Sequence, residues 1–260
     1  MYRFFVTREQ MLQSPVVIEG EDYNHIHHVL RLKMGEEVLL CAEDDKEYLC
    51  RIEAYQEDDK QVLLTVEDVF GNNRELPARV VLFQGLPKGD KLELIIQKAV
   101  ELGVSEIVPV SMKRCVVKLD EKKAAKKVER YNSIALSAAK QSKRGKIPVV
   151  TSVMSMKEAC RYAGNLEKVL VPYELAGGME LSKQRIRTAA MASSIGVFIG
   201  PEGGFDPEEV DLLESLGGQQ ISLGHRILRT ETAGMVVLSL LMFEMENDDN
   251  DGGKINGSIL

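Results

Sequence analysis

Cysteine is scarce and unpatterned. Four residues, Cys41, Cys50, Cys115 and Cys160, form neither a C-x-x-C pair nor the spacing of a zinc module. That excludes a disulfide framework and a cysteine–zinc site, and it points to reduced thiols. Long apolar runs are missing too: nothing approaches the roughly 20 residues that cross a bilayer. The opening MYRFFVTREQ has no signal-peptide core. The expectation is a cytoplasmic protein with no membrane partner. Neither G-x-G-x-x-G nor G-x-x-x-x-G-K-[ST] occurs, so the dinucleotide fingerprint and the phosphate loop are both excluded. His25, His27 and His28 crowd together, but they lack the i, i+4 geometry of a helical zinc pair, and no carboxylate or cysteine completes a set. No metal is expected.

What is present is a chain of 260 residues, 44% hydrophobic and 28% charged, with room for one large domain or two modest ones. The net charge of −7 argues against a polyanionic partner until its distribution is considered. Residues 111–146 carry twelve Lys/Arg against three acids (Asp120, Glu121 and Glu129), a local +9 that leaves −16 for the rest. A basic patch on an acidic body binds phosphate through the patch, whatever the total. A solvated helix face is the plainer reading of a lysine run.

Residues 1–70 contain five short runs with strand character: 3–6, 15–18, 37–41, 47–52 and 61–66, parted by acidic turn clusters. This spacing predicts a small barrel or sandwich. Segment 43–68 holds ten acids against three bases, so its side of the barrel should face away from phosphate. The polar stretch Gly71–Pro77 reads as a linker.

From Arg79 onward strands alternate with helices, which predicts a mainly parallel sheet covered on both faces. Val80–Phe83 is a strand. Asp90, with Glu93 three residues on, predicts a capping box opening a helix. Leu92, Ile95, Ile96, Ala99 and Val100 fall on one face of that helix, and Gly103 stops it. Strands are expected at 107–110, 115–117, 149–150 and 169–171, and helices at about 121–140 and 156–162. The predicted domains are 1–72, 73–245 and an acidic tail, 246–260, rich in Gly and Asn and expected to be disordered.

The densest chemistry lies between Gly200 and Ala233. Strand Gly196–Ile199 breaks into Gly200-Pro201-Glu202-Gly203-Gly204-Phe205, whose adjacent glycines let backbone N–H groups approach a ligand. Asp206-Pro207-Glu208-Glu209 is a capping box with proline at the first helical position. A strand at 220–223 then leads into Gly224-His225-Arg226-Ile227-Leu228-Arg229-Thr230-Glu231-Thr232-Ala233 and a helix, 235–243, apolar almost all round. Such a helix is core or interface. In open α/β sheets, ligands bind outside the carboxyl ends of strands, where both of these loops fall.

GPEGGF, a strand, then LGHRILRTETA resembles the cofactor-binding end of the SPOUT methyltransferases, and within them the branch that methylates N3 of a uridine in 16S ribosomal RNA. Further phrases match along the chain: Gln97–Val104, Arg114–Val117, Ala138–Arg144, Val171–Glu174, and the "HVLR" turn at 28–31 of a PUA-like RNA-binding domain. Lys140 and Lys143 depart from the family, which often has an acid and a glycine there. The resemblance implies an α/β fold: a C-terminal α/β domain with a deep trefoil knot and a mainly parallel sheet, preceded by a small PUA-like β-barrel. It also implies S-adenosylmethionine held by three loops, through Pro172, Tyr173, Gly200, Pro201, Glu202, Gly203, Gly204, Leu223, Gly224, Ile227, Leu228, Thr230 and Ala233. Arg229 and Arg226 are candidates for stabilising charge on a uracil carbonyl, or for pairing with Glu231 or with a neighbouring subunit. His225 is a residue type that serves as a general base, but no base is assigned. Arg3, Arg31, Arg114, Gln141 and Arg144 are the implied RNA contacts. The partners implied are 16S rRNA or the small ribosomal subunit and a second copy of the chain in a homodimer. Two alternatives stand beside this: a SPOUT enzyme acting on another rRNA or tRNA position, including ribose 2′-O, and a non-catalytic RNA-binding protein.

Overall fold

Alternating inward-facing apolar residues give the N-terminal strands a single core. The strands are β1 (Arg3–Phe5), β2 (Val16–Ile18), β3 (Glu37–Cys41), β4 (Lys46–Gln56) and β5 (Gln61–Gly71). They form one sheet in the order β1-β3-β4-β5-β2, antiparallel except where β1 runs alongside β3. Phe4, Val38, Leu40, Cys50, Ile52, Val62 and Leu64 pack within it. The computed structural model describes residues 1–42, 44, 46–72, 74–118 and 120–246, so most of the expected acidic tail lies outside the described residues. Strands β4 and β5 run several residues past the apolar alternation that predicts them. Polar cross-strand pairs carry the ladder on: Thr65 donates to Glu53 at 2.7 Å, and Arg51 pairs with Glu67.

Two short helices, α1 (Arg8–Met11) and α2 (Gly20–Asn24), join these strands. Helix α2 continues into a wide turn, His25–Val29, in which Leu30 N–H donates to His25 O at 2.8 Å, an i→i+5 bond. The three histidines of this turn pack on aromatics. His25 meets Phe4, and His27 lies between Tyr23 and Tyr55. Among the described residues no His/Cys/Asp/Glu group could hold a metal.

Residues 1–75 form this first compact unit together with Lys143–Lys146, which return to it from far along the chain. Glu75 is the anchor. Its carboxylate accepts from Arg144 Nη2 at 2.5 Å and from the backbone N–H groups of Gly145 and Lys146 at 3.0 and 3.2 Å. Arg3 pairs with Glu47 at 2.9 Å and donates to the carbonyls of Lys143 and Arg144. Lys143 sits at φ 59°, in the left-handed region that glycine adopts most readily.

The second unit, 76–142 with 147–246, is the expected strand–helix alternation. Its strands are β6 (Arg79–Gly85), β7 (Glu106–Ser111), β8 (Val149–Val150), β9 (Met154–Ser155), β10 (Lys168–Pro172), β11 (Ser194–Ile199) and β12 (Gln219–Ile221). Its helices are α3 (Lys91–Glu101), α4 (Glu121–Gln141), α5 (Met156–Ala163), α6 (Met179–Ala190), α7 (Pro207–Ser215) and α8 (Thr230–Met245). The sheet order is β12-β10-β11-β6-β7-β8, with β9 also on β7, and every pairing is parallel. Register places Phe198 of β11 opposite Phe83 of β6, and their rings stack with centroids 4.2 Å apart.

Three expectations are corrected. Residues 115–117 form no strand: Val116 is exposed, and Cys115 turns inward beneath the Met112 N–H. The capping box at Asp90 does not form, because Asp90 makes no side-chain cap and Glu93 reaches Arg130 of α4 at 2.8 Å. Helix α8 begins at Thr230, five residues before the apolar run. The box at Asp206 does form, with Glu209 returning to the Asp206 N–H at 3.0 Å.

Candidate functional site

Three strands that neighbour one another, β10, β11 and β12, end on the same edge because they are parallel. The loops leaving them therefore meet. Together with the start of α8 they enclose a cavity of about 620 Å³, within the range of small-molecule sites. Pro172 ends β10 and Tyr173 opens the first loop, Gly200–Gly204 come from the second, Leu223, Gly224, Ile227 and Leu228 from the third, and Thr230 and Ala233 from the first turn of α8. Arg226 and Arg229 stand in the same wall. The two sequence-predicted bends are thus brought to one place, with Val171–Glu174 as the third side.

Several contacts hold this geometry. Gly200 lies so close to the returning backbone of Gly204 that a Cβ would stand 3.1 Å from its carbonyl carbon. Gly85 at the end of β6 is tighter still: a Cβ would meet Pro201 at 2.7 Å and the Met112 sulfur at 2.9 Å. Thr230 Oγ1 donates to Gly200 O at 2.6 Å and accepts from the fully buried Gln84 Nε2 at 2.9 Å. That chain of bonds ties the glycine turn to the first residue of α8. Tyr173 and Phe205 meet edge to face, centroids 6.5 Å apart, as the aromatic part of the wall.

The charges divide unevenly. Burial alone would raise the Glu202 carboxyl, but the hydrogen bond from Lys91 Nζ at 3.0 Å and backbone N–H donation outweigh it and hold the group below the usual carboxylate range. Lys91 is raised in turn, chiefly by the same hydrogen bond. Glu231 pairs with Lys91 at 3.6 Å, not with an arginine. Among the described residues Arg226 and Arg229 have no ion-pair partner, and both are exposed at the cavity.

The five implied RNA contacts separate. Arg3 and Arg144 are enclosed, with side chains 6% and 3% exposed and carboxylate partners in Glu47 and Glu75. Both side chains help to hold the 143–146 loop. Arg31 is exposed, in the left-handed region at φ 54°. Gln141 is exposed at the last residue of α4. Arg114 packs over the glycine turn, donating to Gly203 O at 3.1 Å and lying 3.7 Å from Asp206. Of the lysines of α4, Lys122, Lys123 and Lys126 are exposed, and Lys127 and Lys140 are half-buried. Sequence reasoning did not single out Lys91, Ile199, Phe205 or Ser222 as part of the wall. Phe205 follows directly on the glycine turn and was within reach. Lys91 arrives from another strand–helix unit and left no local signal.

Residues 74–242 match the model of an RNA methyltransferase domain and residues 18–67 that of an RNA methyltransferase PUA domain. Ribosomal RNA small subunit methyltransferase E of Bacillus subtilis (strain 168) is 38% identical over 252 residues, covering 95% of this chain and 98% of its own length. The chain belongs to the ribosomal RNA small subunit methyltransferase E family. Another relative of that name, from Mesomycoplasma hyopneumoniae, is 36% identical and covers 92% and 98%. The crystal structure of a ribosomal RNA small subunit methyltransferase E from Neisseria gonorrhoeae, bound to S-adenosyl methionine, superposes with a TM-score of 0.78 at 27% identity, covering 94% and 97%. The parallel sheet and the PUA domain are therefore those of a family of RNA methyltransferases. No helix among the described residues is long and apolar enough to cross a membrane.

Proposed function

We propose that the protein transfers a methyl group from S-adenosylmethionine to N3 of a uridine in 16S ribosomal RNA. The observation that carries this reading is the cavity at the ends of β10, β11 and β12, walled by a glycine turn on one side and on the other by a loop whose two arginines have no ion-pair partner among the described residues. The wall suits the donor. Its volume fits a nucleoside-sized molecule, the Tyr173 and Phe205 rings offer an apolar flank, and the glycines admit backbone approach. Gly200–Gly204, Leu223, Gly224, Ile227 and Leu228 would hold it, with Thr230 and Ala233 beneath. When bound, the donor supplies an electrophilic methyl on a sulfonium.

What the chain adds is position and charge. In-line displacement depends on orientation and on exclusion of water, which a wall fixed by the Gln84–Thr230–Gly200 bonds provides. Removal of the N3 proton places negative charge on the uracil carbonyls. Arg229 and Arg226, with no carboxylate to satisfy, are placed to offset it. A base in a helix hides N3, so the target must be unpaired or flipped. In the second unit Lys122, Lys123 and Lys126 of α4, with Gln141 and Arg114, provide phosphate contacts, and in the first unit Arg31 provides another. Arg3 and Arg144 hold the 143–146 loop within the first unit.

The same proposal includes the trefoil knot that the family resemblance implies, and a homodimer in the cytoplasm. Support for the dimer is the exposure of Leu240 and Phe243 on the apolar helix α8 and of Ile227 at the cavity rim. The boundaries 1–72 and 73–245 remain the working definition of the domains.

The test is methylation of small subunits that lack the mark, followed by nuclease digestion and mass spectrometry. A methylated base is the expected product. A methylated ribose would move the target to the 2′-oxygen, and calorimetry showing no donor binding would leave only an RNA-binding protein.

A further inference from the structure

Lys91 is the first residue of α3, and its side chain stands in the cavity wall. Its Nζ lies 3.0 Å from Glu202 Oε1 and 3.6 Å from Glu231 Oε2. The two carboxylates belong to different loops, Glu202 to the glycine turn after β11 and Glu231 to the first turn of α8. One ammonium is thus shared by three segments far apart in sequence. Glu202 has a second donor in the Lys88 backbone N–H at 3.0 Å. Glu231 Oε2 is buried and accepts no hydrogen bond from the described residues, so Lys91 is its charge partner. Glu231 is not part of the cavity wall.

We propose that Lys91 is a positioning residue of the methyl-donor pocket: its ammonium holds the glycine turn and the first turn of α8 in the arrangement the donor needs. The assignment rests on the donor-pocket reading given under Proposed function. Without the ammonium, two carboxylates that reach one nitrogen face each other with no cation between them. They separate by moving the turn, or one of them takes up a proton. Either response alters the wall before the donor arrives, and the cost appears in donor binding. Because both contacts of Lys91 are to carboxylates, its effect falls on donor affinity and not on the chemical step.

The test uses the full-length chain with Lys91→Met, Glu231→Gln and the double variant. Calorimetry with S-adenosylmethionine gives Kd, and methylation of unmarked small subunits gives kcat and both KM values. In Lys91→Met the donor Kd and KM are expected to rise about tenfold or more, with kcat within about threefold and the RNA KM unchanged. Glu231→Gln should weaken the donor less, and the double variant should be no worse than Lys91→Met, since the shared contact is already gone. Donor binding as tight as wild type in Lys91→Met overturns the proposal, and so do single effects that add in the double variant. If Lys91→Met does not fold, Glu231→Gln alone decides, because unchanged donor affinity in it overturns the tie. A wild-type chain that binds no donor overturns the pocket reading, and the proposal with it.

Discussion

Two loops, 143–146 and 223–230, both carry arginine and differ in what their charges do. In the first, Arg144 is 3% exposed and bound to Glu75, and its neighbours' N–H groups are held by the same carboxylate. In the second, Arg226 and Arg229 are exposed, and the nearby Glu231 is taken by Lys91. A buried guanidinium with a carboxylate partner serves the fold, because separating the pair strands a charge in low dielectric. An exposed one at a cavity keeps its charge for a substrate. The difference lies in the partner, not in the arginine.

The contrast breaks most sharply at Glu75. Glu75→Ala leaves Arg144 enclosed without its carboxylate and frees two backbone donors, so a loss of about 3–5 kcal/mol in urea unfolding is expected. A stability change below about 1 kcal/mol would show the loop to be ornamental. Arg229→Ala is the counterpart. Unfolding should stay within about 0.5 kcal/mol of wild type, while kcat falls roughly 100-fold and donor Kd holds. A destabilised Arg229→Ala with normal kcat would merge the two loops into one class. Between them comes Gly85→Ala: its Cβ would press on Pro201 at 2.7 Å, costing about 1–3 kcal/mol and weakening donor binding by calorimetry. Thr230→Val removes the bond to Gly200 O and leaves the Gln84 amide short of an acceptor, a loss of about 1–2 kcal/mol read from thermal unfolding.

The smallest effect is with pH. The Glu202 carboxyl is held below its ordinary value, its burial outweighed by the Lys91 and backbone hydrogen bonds. A carboxylate depressed on folding contributes stability above its unfolded pKa and loses it as pH falls through the folded one. Donor affinity should therefore stay level from neutrality to the ordinary glutamate range near about pH 4.3, and weaken only below it. Weakening that begins well above that range, followed by calorimetry across pH, would detach Glu202 from the pocket.

Much of this was legible in the chain itself. The Asp206 box forms as its four residues dictate, because a cap is satisfied within one turn. The apolar face of α3 is buried residue for residue, since periodicity and burial are the same fact. At Asp90 the same local logic failed, because Arg130 from α4 competed for Glu93 and won. Residues 115–117 have strand composition but no strand, since β-propensity stabilises only where a neighbouring edge is open.

The sequence alone determined most of the strands and helices, where the glycine turn falls and which loops carry most of the cavity residues. Those depend on contacts within a few residues, and on parallel strands delivering their loops to one edge. Only the tertiary structure decided which charges are spoken for: that Glu75 claims Arg144, that Lys91 claims Glu231, and that Arg226 and Arg229 are left over. An ion pair is set by proximity in space, and residues 69 and 140 positions apart in the chain leave no periodicity to mark it.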